Sequence, residues 1–537
     1  MKKMSLKRTT FSNKDIQIDP GFWTKTSQIQ LLYGLWVNMC HLGVGLAHGL
    51  PSVLVPQLSA ADSFIKITRS EASWIGEIYS KHSPKTLTSC TLSRFVTNST
   101  SVFTLFSSIG CLISGYVADW LGRRVTIVAC QAPICIGWLC TGFSKSPKHV
   151  IIGRAITGIG SGMALAPPRI YCSEISLPNM RGVIGACSSL SVSIGIAIQA
   201  GLGKYLNWPV ICYICSFYTV TNFICFLFLP ETPFFMLKTK SLDEARAALA
   251  HFRAHDYDLD KEIDQMRKFK EANDIRKSVV YSSFIFFRIT ARERLSLLFK
   301  PSAYKPFTMV VVYIFISQIA GTSGVPIWAV EMLTIAKSSV DVDTGNFLMC
   351  LTRLVINCLT VILIFKTGRK PLAHVSALGV AVISLVIAIY TSIHKEPSLA
   401  PQILFMIYMA FASIGYYLIP FLIASEIYPL QVRGILGGFT VSVTGILMFG
   451  CLILTPYLLD SLGLTYMMVI FGFMSLLGVA YIYVFVPETK DLTLQEIEDY
   501  YNKRIPALVS QRRLQTLQDI GARRNKTDIN VVERKSI

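Results

Sequence analysis

Apolar runs about 20 residues long recur along this chain, and that is the length an α-helix needs to cross roughly 30 Å of hydrocarbon. Inside hydrocarbon each backbone N–H and C=O must be satisfied within the protein, so runs of this kind are read as helices. The first half carries six of them, at about 30–56, 101–119, 125–143, 149–173, 182–203 and 208–229. The second half carries six more, at about 307–331, 346–365, 372–391, 401–425, 434–457 and 463–486. The expected fold is therefore an all-α membrane protein: twelve transmembrane helices in two six-helix halves.

Charge is confined to the joints. Charged residues are 15% of the 537, against about 25% in soluble domains, and they concentrate in residues 1–27, 231–306 and 488–537. These stretches are read as a cytoplasmic N-terminal tail (1–27), a helical cytoplasmic linker (230–306) and a cytoplasmic C-terminal tail (487–537), flanking halves at 28–229 and 307–486. The net charge of +19 comes with no aromatic interleaving or nucleic-acid module, so nucleic acid is excluded as a partner and the lipid bilayer is preferred. Placing Arg123 and Arg124 inside puts most Lys and Arg residues on the cytoplasmic side, as the positive-inside rule requires. Within the linker, Ser241-Leu-Asp-Glu-Ala reads as a capped amphipathic helix, and 260–273 as another. The 14 cysteines fall mostly in apolar runs and support neither a zinc site nor a disulfide framework. The N-terminus is polar and lysine-rich, so membrane entry is assigned to the first span itself.

The two halves repeat one another. Gly115-Tyr-Val-Ala-Asp119-Trp-Leu-Gly122-Arg123-Arg124 joins two spans by a turn in water, where Gly122 supplies positive φ. Gly368-Arg369-Lys370 matches its end, although Phe365 or Lys366 stands where an Asp would complete the pattern. Glu174, followed by Arg181-Gly182, matches Glu426, followed by Arg433-Gly434; Pro230-Glu231-Thr232 matches Pro487-Glu488-Thr489. Arg154 and Arg353 fall inside spans; Arg154 is read as snorkelling to the near interface or as functional. Gly158, Gly160 and Gly162 allow close helix approach.

One region breaks the pattern. Ser73-Trp-Ile-Gly-Glu-Ile-Tyr79 begins like span two, and the polar stretch 81–100 then interrupts it. It is either an extracellular loop glycosylated at Asn98 or residues left from an unspliced intron.

These landmarks resemble the sugar porter family of the major facilitator superfamily, and within it the insect facilitated trehalose transporters, over roughly residues 28–500. The resemblance implies a substrate site between the halves near the midplane. It implies ion pairs joining Glu174, Arg181, Glu426 and Arg433 to the arginine turns, which break as the halves rock. Gly115, Asp119, Gly122, Arg123, Arg124, Glu231, Gly368, Arg369 and Glu488 belong to the same switch. For sugar contacts it points to Gln318, Thr322, Ser323 and Trp328 around span seven, Ser189 and Gln199 in span five, Phe421 in span ten and Thr444 in span eleven. An amide donates and accepts as sugar hydroxyls do. Several positions depart from the family: Ser317 and Ser323 replace Gln and Asn, Ser189 replaces Gln, Thr444 replaces Asn, a Trp is lost after Pro420, and Phe234 replaces Arg.

The functional expectation is facilitative transport of a sugar such as trehalose or a hexose by alternating access, in the plasma membrane. Span one reads Gly45-Leu46-Ala47-His48-Gly49 and lacks the Asp of proton-driven porters, although His41 and His48 are nearby. The alternatives are proton coupling, another small organic solute, or a transporter-like nutrient sensor. No nucleophile–base pair, phosphate loop, cofactor motif or metal cluster appears, which excludes an enzyme reading; the oligomeric state is left open.

Overall fold

The computed structural model describes residues 24–59, 84–254, 257–264, 267, 301–394, 396–428 and 433–489. Apart from one β-bridge between Ser338 and Ser398, regular structure among them is helical. The first half comprises α1 (Lys25–Gly49), α2 (Pro51–Ser59), α3 (Pro84–Leu121), α4 (Arg123–Ala129), α5 (Gln131–Gly142), α6 (Pro147–Met163), α7 (Pro167–Ile175), α8 (Pro178–Tyr205) and α9 (Trp208–Phe226). Helices α10 (Pro233–Thr239) and α11 (Leu242–Ala250) follow. The second half comprises α12 (Pro301–Ile319), α13 (Gly324–Ile327), α14 (Ala329–Ile335), α15 (Val342–Lys366), α16 (Arg369–Ile393), α17 (Ala400–Ile414), α18 (Ile419–Ile427) and α19 (Arg433–Phe485).

Among the described residues, ten helical stretches are long and apolar enough to cross a membrane, against the twelve expected. Two regions differ from that expectation. Span seven is broken: α12 ends at Ile319, Gly321 takes φ +90, and the chain continues as two short helices. Spans eleven and twelve run together as the 53 residues of α19, interrupted only at Gly463 with φ 78. A straight helix of that length would measure roughly 80 Å, far beyond a bilayer core.

The interruption expected at 81–100 is corrected for its larger part. Residues 84–100 continue α3 without a break, making one helix of 38 residues, or roughly 57 Å. Polarity alone suggested a loop, but no Gly or Pro lies between Pro84 and Gly110 to stop a helix. Residues 81–83 and the side chain of Asn98 lie outside the described residues.

Two hydrophobic clusters form, one from Val37 to Phe252 and the other from Ala303 to Val486. A small separate cluster, built on Ala197, Ala200 and Cys350, spans the seam between α8 and α15. In the first cluster the helices meet backbone to backbone. A Cβ on Gly110 would stand 2.1 Å from the Ile159 carbonyl oxygen, and one on Gly162 only 1.9 Å from that of Ser107. Gly45 faces the Val192 carbonyl in the same way, at 2.2 Å. Small residues thus let α3 lie against α6 and α1 against α8. Large apolar side chains such as Phe217, Ile362, Ile389 and Phe473 point outward, an apolar belt suited to lipid.

The linker docks under the first half. Ser241 caps α11 by accepting from the Glu244 N–H at 3.2 Å, as the sequence indicates. Arg253 grips Glu262 through two bonds, at 2.8 and 2.6 Å, and donates at 2.9 Å to the Ile175 carbonyl at the end of α7. The second linker helix is visible as residues 259–264; most of its remainder, and the C-terminal tail, fall outside the described residues.

Candidate functional site: a central cavity and two charge clusters

Each half carries the same charge cluster at its turn. Gly122 takes φ +102, the left-handed geometry expected of it. Arg123 then pairs with Glu174, Nη2 at 2.9 Å and Nε at 3.0 Å from the same carboxylate oxygen. In the second half Arg369 pairs with Glu426 at 2.8 Å. Thr232 donates its hydroxyl to Glu174 at 2.5 Å, and Thr489 does the same to Glu426. The repeated Pro-Glu-Thr therefore places its Thr on the partner carboxylate of each pair.

The neighbouring basic residues behave differently from expectation. Among the described residues, Arg124 and Lys370 form no ion pair; Arg124 donates to the Leu227 carbonyl, and Lys370 donates to that of Tyr483 at 2.8 Å. Their carboxylates are engaged elsewhere. Glu231 accepts from the Arg124 backbone N–H at 3.1 Å, and Glu488 accepts from those of Arg369 and Lys370 at 3.0 and 3.1 Å. A carboxylate at a helix N-terminus satisfies orphan donors and meets the positive end of the helix dipole. Burial raises the Glu231 carboxyl above its usual range, and backbone N–H donors oppose that shift. Gly368 has φ −75, so its role is spatial: a Cβ there would lie 2.2 Å from Glu488 Oε2. Gly115 is different, because a Cβ there would meet nothing within 4 Å. The side chains of Asp119, Arg181 and Arg433 lie outside the described residues.

Between the two hydrophobic clusters lies a cavity of about 230 Å³. Of the residues named from sequence, Gln318, Thr322, Ser323, Ser189, Phe421 and Thr444 line it. The break after α12 brings the first three together. Ser323 donates to Gln318 Oε1 at 2.5 Å, while Thr322 donates to the Ser317 carbonyl at 2.9 Å. The Thr444 hydroxyl back-bonds to Thr440 at 2.7 Å. Trp328 and Gln199 do not line the cavity. Trp328 is packed in the second cluster, and Gln199 is fully buried, its amide oxygen 3.7 Å from Cys215 Sγ.

Sequence reading missed several wall residues. Asn357 donates to Ser193 at 2.5 Å, a bond between α15 and α8. Arg169, Arg353 and His48 also line the cavity. Arg353 stacks over the Tyr417 ring at 4.2 Å, and Arg169 lies 5.6 Å from the Phe421 ring centroid. The signal for both was an arginine within an apolar span.

Arg154 does not snorkel. It is 1% exposed, stacks on Phe103 at 4.2 Å and donates to the Ala47 carbonyl at 3.0 Å. The residue four ahead of Ala47 is Pro51, which has no N–H, so α1 leaves that carbonyl unpaired and Arg154 fills the vacancy.

Residues 68–501 match the family described as "Sugar (and other) transporter". The chain is 26% identical to the facilitated trehalose transporter Tret1 of Polypedilum vanderplanki, covering 91% of each sequence. It is likewise 26% identical to the sugar transporter ERD6-like 6 of Arabidopsis thaliana, over 75% of this chain and 82% of the other. Among solved structures, the proton:xylose symporter XylE superposes with a TM-score of 0.69 at 18% identity, over 89% of this chain and all of XylE.

Proposed function

The chain belongs to the sugar (and other) transporter family, and from that premise we propose that it moves a sugar across a membrane through the central cavity by alternating access. It is a multi-pass membrane protein and not an enzyme. The observation that carries the reading is a cavity between two separately packed clusters, lined by amide and hydroxyl groups. Trehalose is named in one relative and a sugar in the other, and trehalose or a hexose is the solute proposed.

The finer reading counts residues 301–335 as one broken crossing and α19 as two that turn at Gly463. That makes twelve crossings in two six-helix halves, with both termini cytoplasmic and the plasma membrane as the site of action. The pairs Arg123–Glu174 and Arg369–Glu426 are read as latches that open when the halves rock. Each is partly buried, so each is worth about 1.5–3 kcal/mol. Transport is read as uniport, since no carboxylate lines the cavity among the described residues.

Uptake of labelled trehalose, glucose and xylose into oocytes, with and without a pH gradient, tests this reading. Saturable uptake indifferent to the gradient is expected. Acceleration by an inward proton gradient would replace uniport with symport, and binding without flux would favour a sensor.

A further inference from the structure

Two arginines in the wall of one cavity need an explanation that neutral sugars do not provide. The other well-placed arginines of this fold are neutralised in plain sight: Arg123 by Glu174, Arg369 by Glu426 and Arg253 by Glu262. Arg154 has a backbone carbonyl. Arg169 and Arg353 have aromatic rings, Phe421 and Tyr417, and no carboxylate among the described residues that line the cavity. Arg353 Nε is enclosed without an acceptor.

A ring face attracts a cation only weakly. Both side chains are half-buried and open on the cavity, so each has given up part of its hydration. The rings leave that charge without a counter-ion, and an anion between the halves would neutralise it. The geometry suits one. Arg169 comes from α7 in the first half and Arg353 from α15 in the second; of their rings, Tyr417 lies in the turn just before α18 and Phe421 in the first turn of α18. Guanidinium forks hold carboxylate or phosphate oxygens in pairs.

Resting on the sugar-transport reading above, we propose that the cavity takes a sugar-sized solute bearing an anionic group, a carboxylate or a phosphate. Arg169 and Arg353 hold that group. Gln318, Ser189 and Thr444 are left for the solute's hydroxyls, which explains how a sugar-type wall and two cations share one cavity. Ser189, Ser317, Ser323 and Thr444, which depart from the family pattern, line the same cavity as the two arginines.

The test uses the purified full-length chain in proteoliposomes with no pH gradient, supplied separately with labelled glucose, glucuronate and glucose 6-phosphate. Uptake of one anionic sugar at least about tenfold above glucose is expected, and the two anionic arms tell carboxylate from phosphate. Arg353→Gln and Arg169→Gln should each cut that uptake about tenfold or more, while Arg353→Lys keeps part of it. Competition on the unaltered chain serves where a variant folds poorly: excess anionic sugar should block whatever glucose flux exists. Glucose uptake that neither anion rivals nor inhibits would overturn the proposal and leave the sugar reading standing. No flux of any of the three would overturn the proposal, and no flux of labelled trehalose either would overturn the sugar reading as well.

Discussion

At Gly368 a methyl group in place of a hydrogen would press on the carboxylate that caps a helix. Its φ of −75 suits any residue, yet a Cβ would collide with the Glu488 carboxylate at 2.2 Å. Gly368→Ala should therefore destabilise the detergent-solubilised protein by about 1–2 kcal/mol, the worth of a helix cap. Thermal unfolding measures it, and Gly368→Ala combined with Glu488→Ala should cost little more than either alone. Additive losses would show that the two residues do not communicate. The sequence displayed Gly368, Glu488 and their first-half counterparts as a repeat, and the Gly122 backbone could be read from its turn. It did not show that the glutamates accept from backbone N–H groups, because that depends on chain segments far apart in sequence meeting at one point. Trp328 and Gln199 fall outside the cavity wall for a related reason: residue type does not say which side of a helix faces the cavity.

At the scale of helices, apolar length was the dependable signal and polarity the misleading one. The spans from α1 to α9 appear where hydropathy places them. Span seven is divided by Gly321, and α3 runs through the polar residues that suggested a loop, since helix continuity depends on breakers and not on polarity. The contact of α3 with α6 supplies a sharp prediction. Gly162→Leu or Gly110→Val should abolish a monodisperse protein by size-exclusion chromatography, because each side chain would enter a facing backbone. Gly115→Ala should elute as the unaltered chain does, since open space surrounds that position. If all three variants behave alike, backbone-to-backbone packing is not what holds α3 in place.

Across the whole molecule, the two charge clusters are copies of one arrangement, and as the proposed latches they would act on one equilibrium between cavity openings. Glu174→Gln should loosen the first latch and Glu426→Gln the second, each shifting the balance of facing states by about tenfold. Labelling of cysteines introduced at the two mouths of the cavity measures that balance, with surface expression as the control for folding. Unchanged labelling in both variants would reduce the pairs to anchors.

The arginines in the cavity wall add a dependence on membrane voltage. Water in the cavity takes the potential of whichever side it opens to, so Arg169 and Arg353 feel that side's potential without themselves travelling far. One charge crossing the full field is worth about 2.3 kcal/mol per 100 mV, so two set an upper bound of about 4.6 kcal/mol. A negative interior then draws the empty carrier toward its inward-open state. Voltage steps applied with no solute present should evoke transient currents, and these should vanish when both arginines are replaced by glutamine.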